Sequence, residues 1–217
     1  MLAEEHDIVV CDLTGMAQPI AAGEVLAPSA AYLKAWPGTV VVACVPDSTV
    51  ERRLLSVLKA DHLVVARTVE DGVALARQRV QELRRVGEQL APRPTAARDA
   101  RRFVARTLLS WELPRVIAPA TLVASELVTT SVVHAVTMLD LTVTQAGQYL
   151  RIAVRDQGGA GRPARADDPS GSGLSGRGLL IVHALTRSWG VFPGRRSGKT
   201  VWAVLDTTAP RERQGPS

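Results

Sequence analysis

Three stretches of this 217-residue chain hold residue types at spacings that suit chemistry. The first is Ala124-Ser125-Glu126-Leu127-Val128-Thr129-Thr130-Ser131-Val132-Val133-His134-Ala135. A helix there sets Glu126, Thr130 and His134 in one row, at i, i+4 and i+8, with Val123, Leu127 and Val128 able to face a core. Polar groups beside an apolar face are costly to bury without partners; a solvated stripe fits the same pattern. The second is Val154-Arg155-Asp156-Gln157-Gly158-Gly159, where an acid ends a strand-like run and glycines follow. A carboxylate so placed can point into a cleft while the backbone turns away, and can accept a hydrogen bond from an amino group on a purine ring. Asp-x-Gly is also a common plain turn. The third is Gly171-Ser172-Gly173-Leu174-Ser175-Gly176-Arg177-Gly178-Leu179-Leu180-Ile181, in which glycines run straight into an apolar helix-like segment. Converging backbone N–H groups and the helix dipole suit a phosphate, with Arg177 adding charge. A flexible linker has a similar composition.

A fourth stretch is a decoy. Arg195-Arg196-Ser197-Gly198-Lys199-Thr200 has the ending of a P-loop, but Pro193 stands where that loop needs glycine. VWAVLD after it alternates like a strand instead of continuing as a helix.

The elements that must hold these residues fall into two groups. DIVVCD at 7–12, TVVVACV at 39–45 and HLVVAR at 62–67 are nearly continuous apolar runs, which suits strands covered on both faces. Helix-like stretches follow them at 21–36, 48–60 and 68–86, and this alternation predicts a small parallel sheet. Gly87, Pro92 and Pro94 end the third helix and set a boundary at 87–95. Thr95 then caps an amphipathic helix whose stripe is Ala97, Ala100, Phe103, Val104, Thr107 and Leu108. A second long helix follows Pro119. LDLTVTQAG and QYLRIAVRD are two strands around a turn near Gly147. LLIVHALTRSWG is a helix, and VFPGRRSGKTVWAVLD a hairpin.

Composition narrows the classes. Hydrophobic residues make up 46% and charged residues 22%, as in a globular chain and unlike a disordered one. No apolar run approaches the roughly 18 residues of a membrane span, and MLAEEHDIVV opens with acids where a secretory signal would be basic. Cys11 and Cys44 lie in apolar runs and are expected to be free, buried thiols. The expected setting is cytoplasmic. Residues 1–90 carry 9 basic and 12 acidic side chains, and residues 91–217 carry 17 and 9, so the halves are net −3 and +8. Only 8 residues are aromatic and no basic-aromatic stripe is present, which argues against direct nucleic-acid binding.

The order of the motifs is more specific than any one of them. Glu-Leu-Val-Thr-x-x-Val-x-His-Ala on a helix, two strands, Asp-x-Gly, a loop with Gly-Arg-Gly-Leu, then Gly-Lys-Thr-Val-Trp resembles the histidine-kinase-like ATPase family, the Bergerat fold. More narrowly it is similar to the anti-sigma-factor type of bacterial serine/threonine kinase, over about residues 94–206. This resemblance implies an α/β two-layer sandwich that binds ATP or ADP. Glu126 would be the base for the attacking group. Asp156 would recognise adenine with Gly158 beside it, and Gly173, Gly176, Arg177, Gly178 and Leu179 would close over the phosphates. His134 and Thr200 would lie close to the nucleotide. Thr130 stands where the family carries the Asn that binds magnesium, so phosphoryl transfer is expected to be impaired even where nucleotide binding survives. Ala160 displaces the family's second glycine after the acid, and Val133 replaces its Arg.

The first half more faintly resembles a STAS domain, the fold of anti-sigma-factor antagonists, through DIVVCDLTG and the strand-helix order after it. The regulatory serine of those antagonists falls at Ile20-Ala21-Ala22-Gly23, which has no hydroxyl. The resulting expectation is α/β throughout: a STAS-like parallel-sheet domain at 1–88, an ATPase-like domain at 94–208 and a disordered tail at 209–217. The expected role is transcription control through binding a sigma factor or an anti-sigma-factor antagonist, without membrane contact; a homodimer is compatible with it. An intact serine/threonine kinase acting on an antagonist and a nucleotide-free scaffold are the other two readings.

Overall fold

The computed structural model describes residues 8–14, 38–45, 63–134, 137–158, 176–193 and 198–208. The chain divides between Arg84 and Arg85 into two compact units.

In the first unit, β1 (Ile8–Asp12), β2 (Val40–Cys44) and β3 (Leu63–Ala66) form a parallel sheet in the order β1-β2-β3. Every residue of β2 is buried, as its unbroken apolar run requires. Val40, Val42, Cys44 and Val64 pack on one face with Ala76 of helix α1 (Val69–Gln81), and Val41, Ala43 and Leu63 pack on the other. The Thr68 hydroxyl accepts the Asp71 amide at 3.1 Å, capping α1, and Glu70 and Asp71 complement the dipole of its first turn. Both cysteines are free; Cys44 is buried and Cys11 half-buried. The helices expected at 21–36 and 48–60, Ile20–Gly23 and the 209–217 tail lie outside the described residues.

The second unit carries β4 (Arg84–Leu90), α2 (Ala96–Ser110), a short 3-10 turn at Pro114–Val116, α3 (Ile117–His134), β5 (Leu139–Ala146), β6 (Tyr149–Asp156), α4 (Gly176–Leu185), β7 (Ser188–Pro193) and β8 (Lys199–Asp206). Its five-stranded sheet runs β4-β5-β6-β8-β7, and β5–β6, β6–β8 and β8–β7 are antiparallel. The β5–β6 turn begins at Gly147, whose φ of +56° suits the first position of a two-residue hairpin loop. Helix α3 packs on β6 and β8, flanked by α2 and α4. The core lies between: Phe103, Val104 and Leu108 of α2 and Val123, Leu127 and Val128 of α3 meet Leu139, Leu141, Val143, Leu150, Ile152 and Val154. Each large apolar side chain buried here contributes about 1.5–3 kcal/mol.

Four local expectations are corrected. The helix expected to run to Val86 stops at Gln81, and Arg84–Leu90 is a strand, because pairing with β5 overrides a helical sequence pattern. Thr95 precedes α2 without a cap hydrogen bond; its hydroxyl lies 3.3 Å from Asp99 Oδ2. Helix α3 begins at Ile117, ahead of Pro119, continuing from the 3-10 turn. In LLIVHALTRSWG the helix ends at Leu185, and Ser188, Trp189 and Gly190 already belong to β7.

Candidate functional site

Glu126 and Thr130 lie one turn apart on α3, and both are half-buried. Their neighbours are tied down. The Thr129 and Ser131 hydroxyls donate to the carbonyls of Ser125 and Leu127, at 2.8 and 2.9 Å. Ser125 Oγ accepts from Arg101 Nη1 of α2 at 2.6 Å, which fixes the turn that presents Glu126. Among the described residues nothing hydrogen-bonds or ion-pairs with the Glu126 carboxylate or the Thr130 hydroxyl. The Thr129 and Ser131 hydroxyls are therefore satisfied within the helix, while Glu126 and Thr130 are open to solvent or a ligand. His134 closes α3, and its side chain lies outside the described set.

Asp156 ends β6 and is only 5% exposed. Its Oδ1 accepts the Lys199 backbone N–H at 2.9 Å, across the pairing of β6 with β8. Its Oδ2 takes no hydrogen bond from any described residue. With Oδ1 held by the fold, Oδ2 is open to a ligand or to water. The backbone around it needs glycine at a defined place. Gly198 has φ +78°, and a Cβ there would lie 2.7 Å from both Asp156 Oδ1 and Gly158 N, and closer still to the Asp156 carbonyl oxygen. Gly158 itself has φ +69°. The turn after Asp156 is held from outside: Gln157 N donates to Thr137 Oγ1 at 3.3 Å, and Gln157 Nε2 donates to Asp140 Oδ2 at 3.4 Å.

The strand register sets Asp156, Thr200 and the start of β5 at one end of the sheet. Asp156 pairs with Leu139, the first residue of β5, five residues after the end of α3. Thr200, buried near the start of β8, pairs with Arg155. After Leu185 a two-residue connection returns the chain along β7, which starts opposite Val204 at the far end of the sheet. The 10 residues of α4 span about 15 Å. Gly178 in its first turn is buried; Gly176, Arg177 and Leu179 are helical, with side chains outside the described set, and Gly173 lies outside the described residues. The decoy resolves as read: VWAVLD is in β8. Among the described residues no group of three His, Cys, Asp or Glu side chains is placed to hold a metal ion, and no helix is long and apolar enough to cross a membrane.

Of Gly198, the Lys199 amide and the Thr137–Gln157 bond, only Gly198 is legible in the sequence, within Gly-Lys-Thr-Val-Trp. The other two are long-range backbone contacts with no signature in residue type.

The histidine kinase-like ATPase domain family matches residues 90–205, just over half of the chain. Among curated proteins none matches. Among solved structures the chain is similar to the histidine kinase AdeS of Acinetobacter baumannii, at 14% identity and a TM-score of 0.35, covering 88% of this chain and 98% of that one. The helix row, the strand-end acid, the glycine-started helix and the family match over 90–205 lead to one conclusion: this chain belongs to the histidine kinase-like ATPase family.

Proposed function

We propose that residues 94–208 bind ATP or ADP, with Asp156 receiving the adenine amino group, and that the protein is a regulator of the anti-sigma-factor-kinase type. The observation that carries the reading is the unmet Oδ2 of a 5%-exposed carboxylate whose other oxygen is fixed by Lys199 N. A purine amino group supplies a donor for that oxygen. Helix α4, opening on Gly176, is set to receive phosphates at its N-terminus.

Phosphoryl transfer is the weaker half of the family's chemistry in this chain. Magnesium neutralises the charge on the transferring phosphate when it is bound. The residue here that would hold it is Thr130, through its hydroxyl, so phosphates and water would have to complete the shell. Output then rests on protein binding, to a sigma factor or an anti-sigma-factor antagonist, and hence on transcription control. The parallel sheet of the first unit supports reading it as a STAS-like module without a phosphorylatable serine at residues 20–23.

Titration of the protein with a fluorescent ATP analogue, with and without Mg²⁺, tests the reading. Binding with little dependence on Mg²⁺ is expected. Absence of binding in both conditions removes the nucleotide claim, and strong Mg²⁺ dependence with phosphate transfer to an antagonist restores the active-kinase reading.

A further inference from the structure

Strand β4 ends the sheet order β4-β5-β6-β8-β7, and among the described residues no strand pairs with its outer side. Gly87, at its centre, is exposed. Glycine has no side chain, so what solvent reaches there is the backbone itself. Such an edge is a template for another extended chain.

Beside the end of β4 lies a groove of about 270 Å³ between the strand and α2, lined by Glu88, Gln89 and Leu90 of the strand and by Arg93, Arg102 and Arg106. Asp99 adds a second acid. The two acids are already engaged: Asp99 lies 3.4 Å from Arg93, and Glu88 lies 3.5 Å from Arg106. Those arginine side chains are 64% and 71% exposed, so each pair is worth little and gives way to a better carboxylate. Arg102 is exposed and makes no ion pair with a described residue. Arg84 and Arg85 open the strand and extend the positive charge along it. Charged edges commonly serve to keep sheets from joining each other. Here Arg93, Arg102 and Arg106 outnumber Glu88 and Asp99, so the rim is net positive, disfavours a second copy of itself and selects a partner of opposite charge.

We infer that the β4 edge and its arginine groove form a docking surface for an extended, acidic segment of a partner protein, which adds as a strand beside β4 with its carboxylates on Arg93, Arg102 and Arg106. The partner's main chain would meet the exposed backbone at Gly87, and its charge would set the preference. This surface is independent of the nucleotide reading.

The test uses the full chain and two fluorescein-labelled ten-residue peptides, one alternating Asp and Val and the other Lys and Val, followed by anisotropy. The Asp-Val peptide is expected to bind, to weaken as salt rises, and to slow hydrogen exchange at residues 86–89. The Lys-Val peptide is expected not to bind. Arg102→Glu with Arg106→Glu should weaken the Asp-Val peptide at least tenfold; both positions are exposed, so an unchanged melting curve verifies the fold. Absence of binding, equal binding by the double variant, or binding without protection at 86–89 overturns the inference. A single-stranded DNA that displaces the peptide, or self-association that protects β4, overturns it in favour of another occupant.

Discussion

The proposal gives the two oxygens of Asp156 separate jobs and depends on their being separable. Oδ1 belongs to the fold, tied to Lys199 N, whereas Oδ2 takes no hydrogen bond from a described residue and is the oxygen proposed to receive the ligand. Gly198 is the structural condition for both. Its Cβ would meet Asp156 Oδ1 and Gly158 N at 2.7 Å, and its φ of +78° strains any other residue. Gly198→Ala should therefore destabilise the second unit by about 1–3 kcal/mol and weaken ADP binding as the β6–β8 end is forced apart. Chemical denaturation with and without ADP checks it, and a variant as stable as wild type contradicts the contact. In the first unit the Thr14 hydroxyl and amide hold the Asp12 carboxyl below the usual carboxylate range. A lowered folded pKa gives stability that is present above the unfolded value of about 4 and is lost as pH falls through the folded one. Asp12→Asn should flatten that acid-side loss in urea melts between about pH 3 and 6. Burial and, after it, the Asp12 charge raise the Cys44 thiol pKa, which fits a packing role and not a reactive one.

At the scale of elements, close packing decides where sequence preference and structure part. Gly72 sits inside α1, where propensity alone favours alanine by about 1 kcal/mol. A Cβ there would overlap Val42 Cγ1 and lie 3.2 Å from Ala66 Cβ. Gly72→Ala should thus destabilise the first unit by about 1–3 kcal/mol, measured by thermal melting; a stabilised variant would show that α1 can lift from the sheet. The same logic explains which elements are readable from sequence. The runs at 39–45 and 62–67 announce covered strands because nothing polar interrupts them, and the stripe from Ala97 to Leu108 announces α2 because its period is helical. Strand β4 is not readable: Arg84-Arg85-Val86-Gly87-Glu88 has a strand's identity only through its long-range partner β5. At the site, Glu126, Thr130 and Asp156 are legible because spacing and strand ends are local properties. The Lys199 and Thr137 contacts are not, since any residue can supply a backbone amide and the cross-strand register is set by the whole sheet.

For the molecule as a whole, the two units are separate compact bodies with separate cores. They differ in charge as well, −3 over residues 1–84 and +8 over the remainder. A ligand that binds one native unit stabilises that unit by mass action, by about 2.7 kcal/mol when present at a hundred times its Kd. Scanning calorimetry should then resolve two transitions, of which ADP raises one and leaves the other in place. A single transition that ADP shifts as a whole would mean that the units unfold as one body.

The central claim is that the free oxygen of Asp156 holds adenine. Titration calorimetry of ADP into the wild-type chain and into Asp156→Asn tests it most directly. The substitution keeps the side chain's volume and its acceptor for Lys199 N, but turns the second oxygen into a donor facing a donor. Affinity should fall at least tenfold, about 1.4 kcal/mol, with the melting temperature of the free protein unchanged. Equal affinity for ADP in the two proteins would contradict the account.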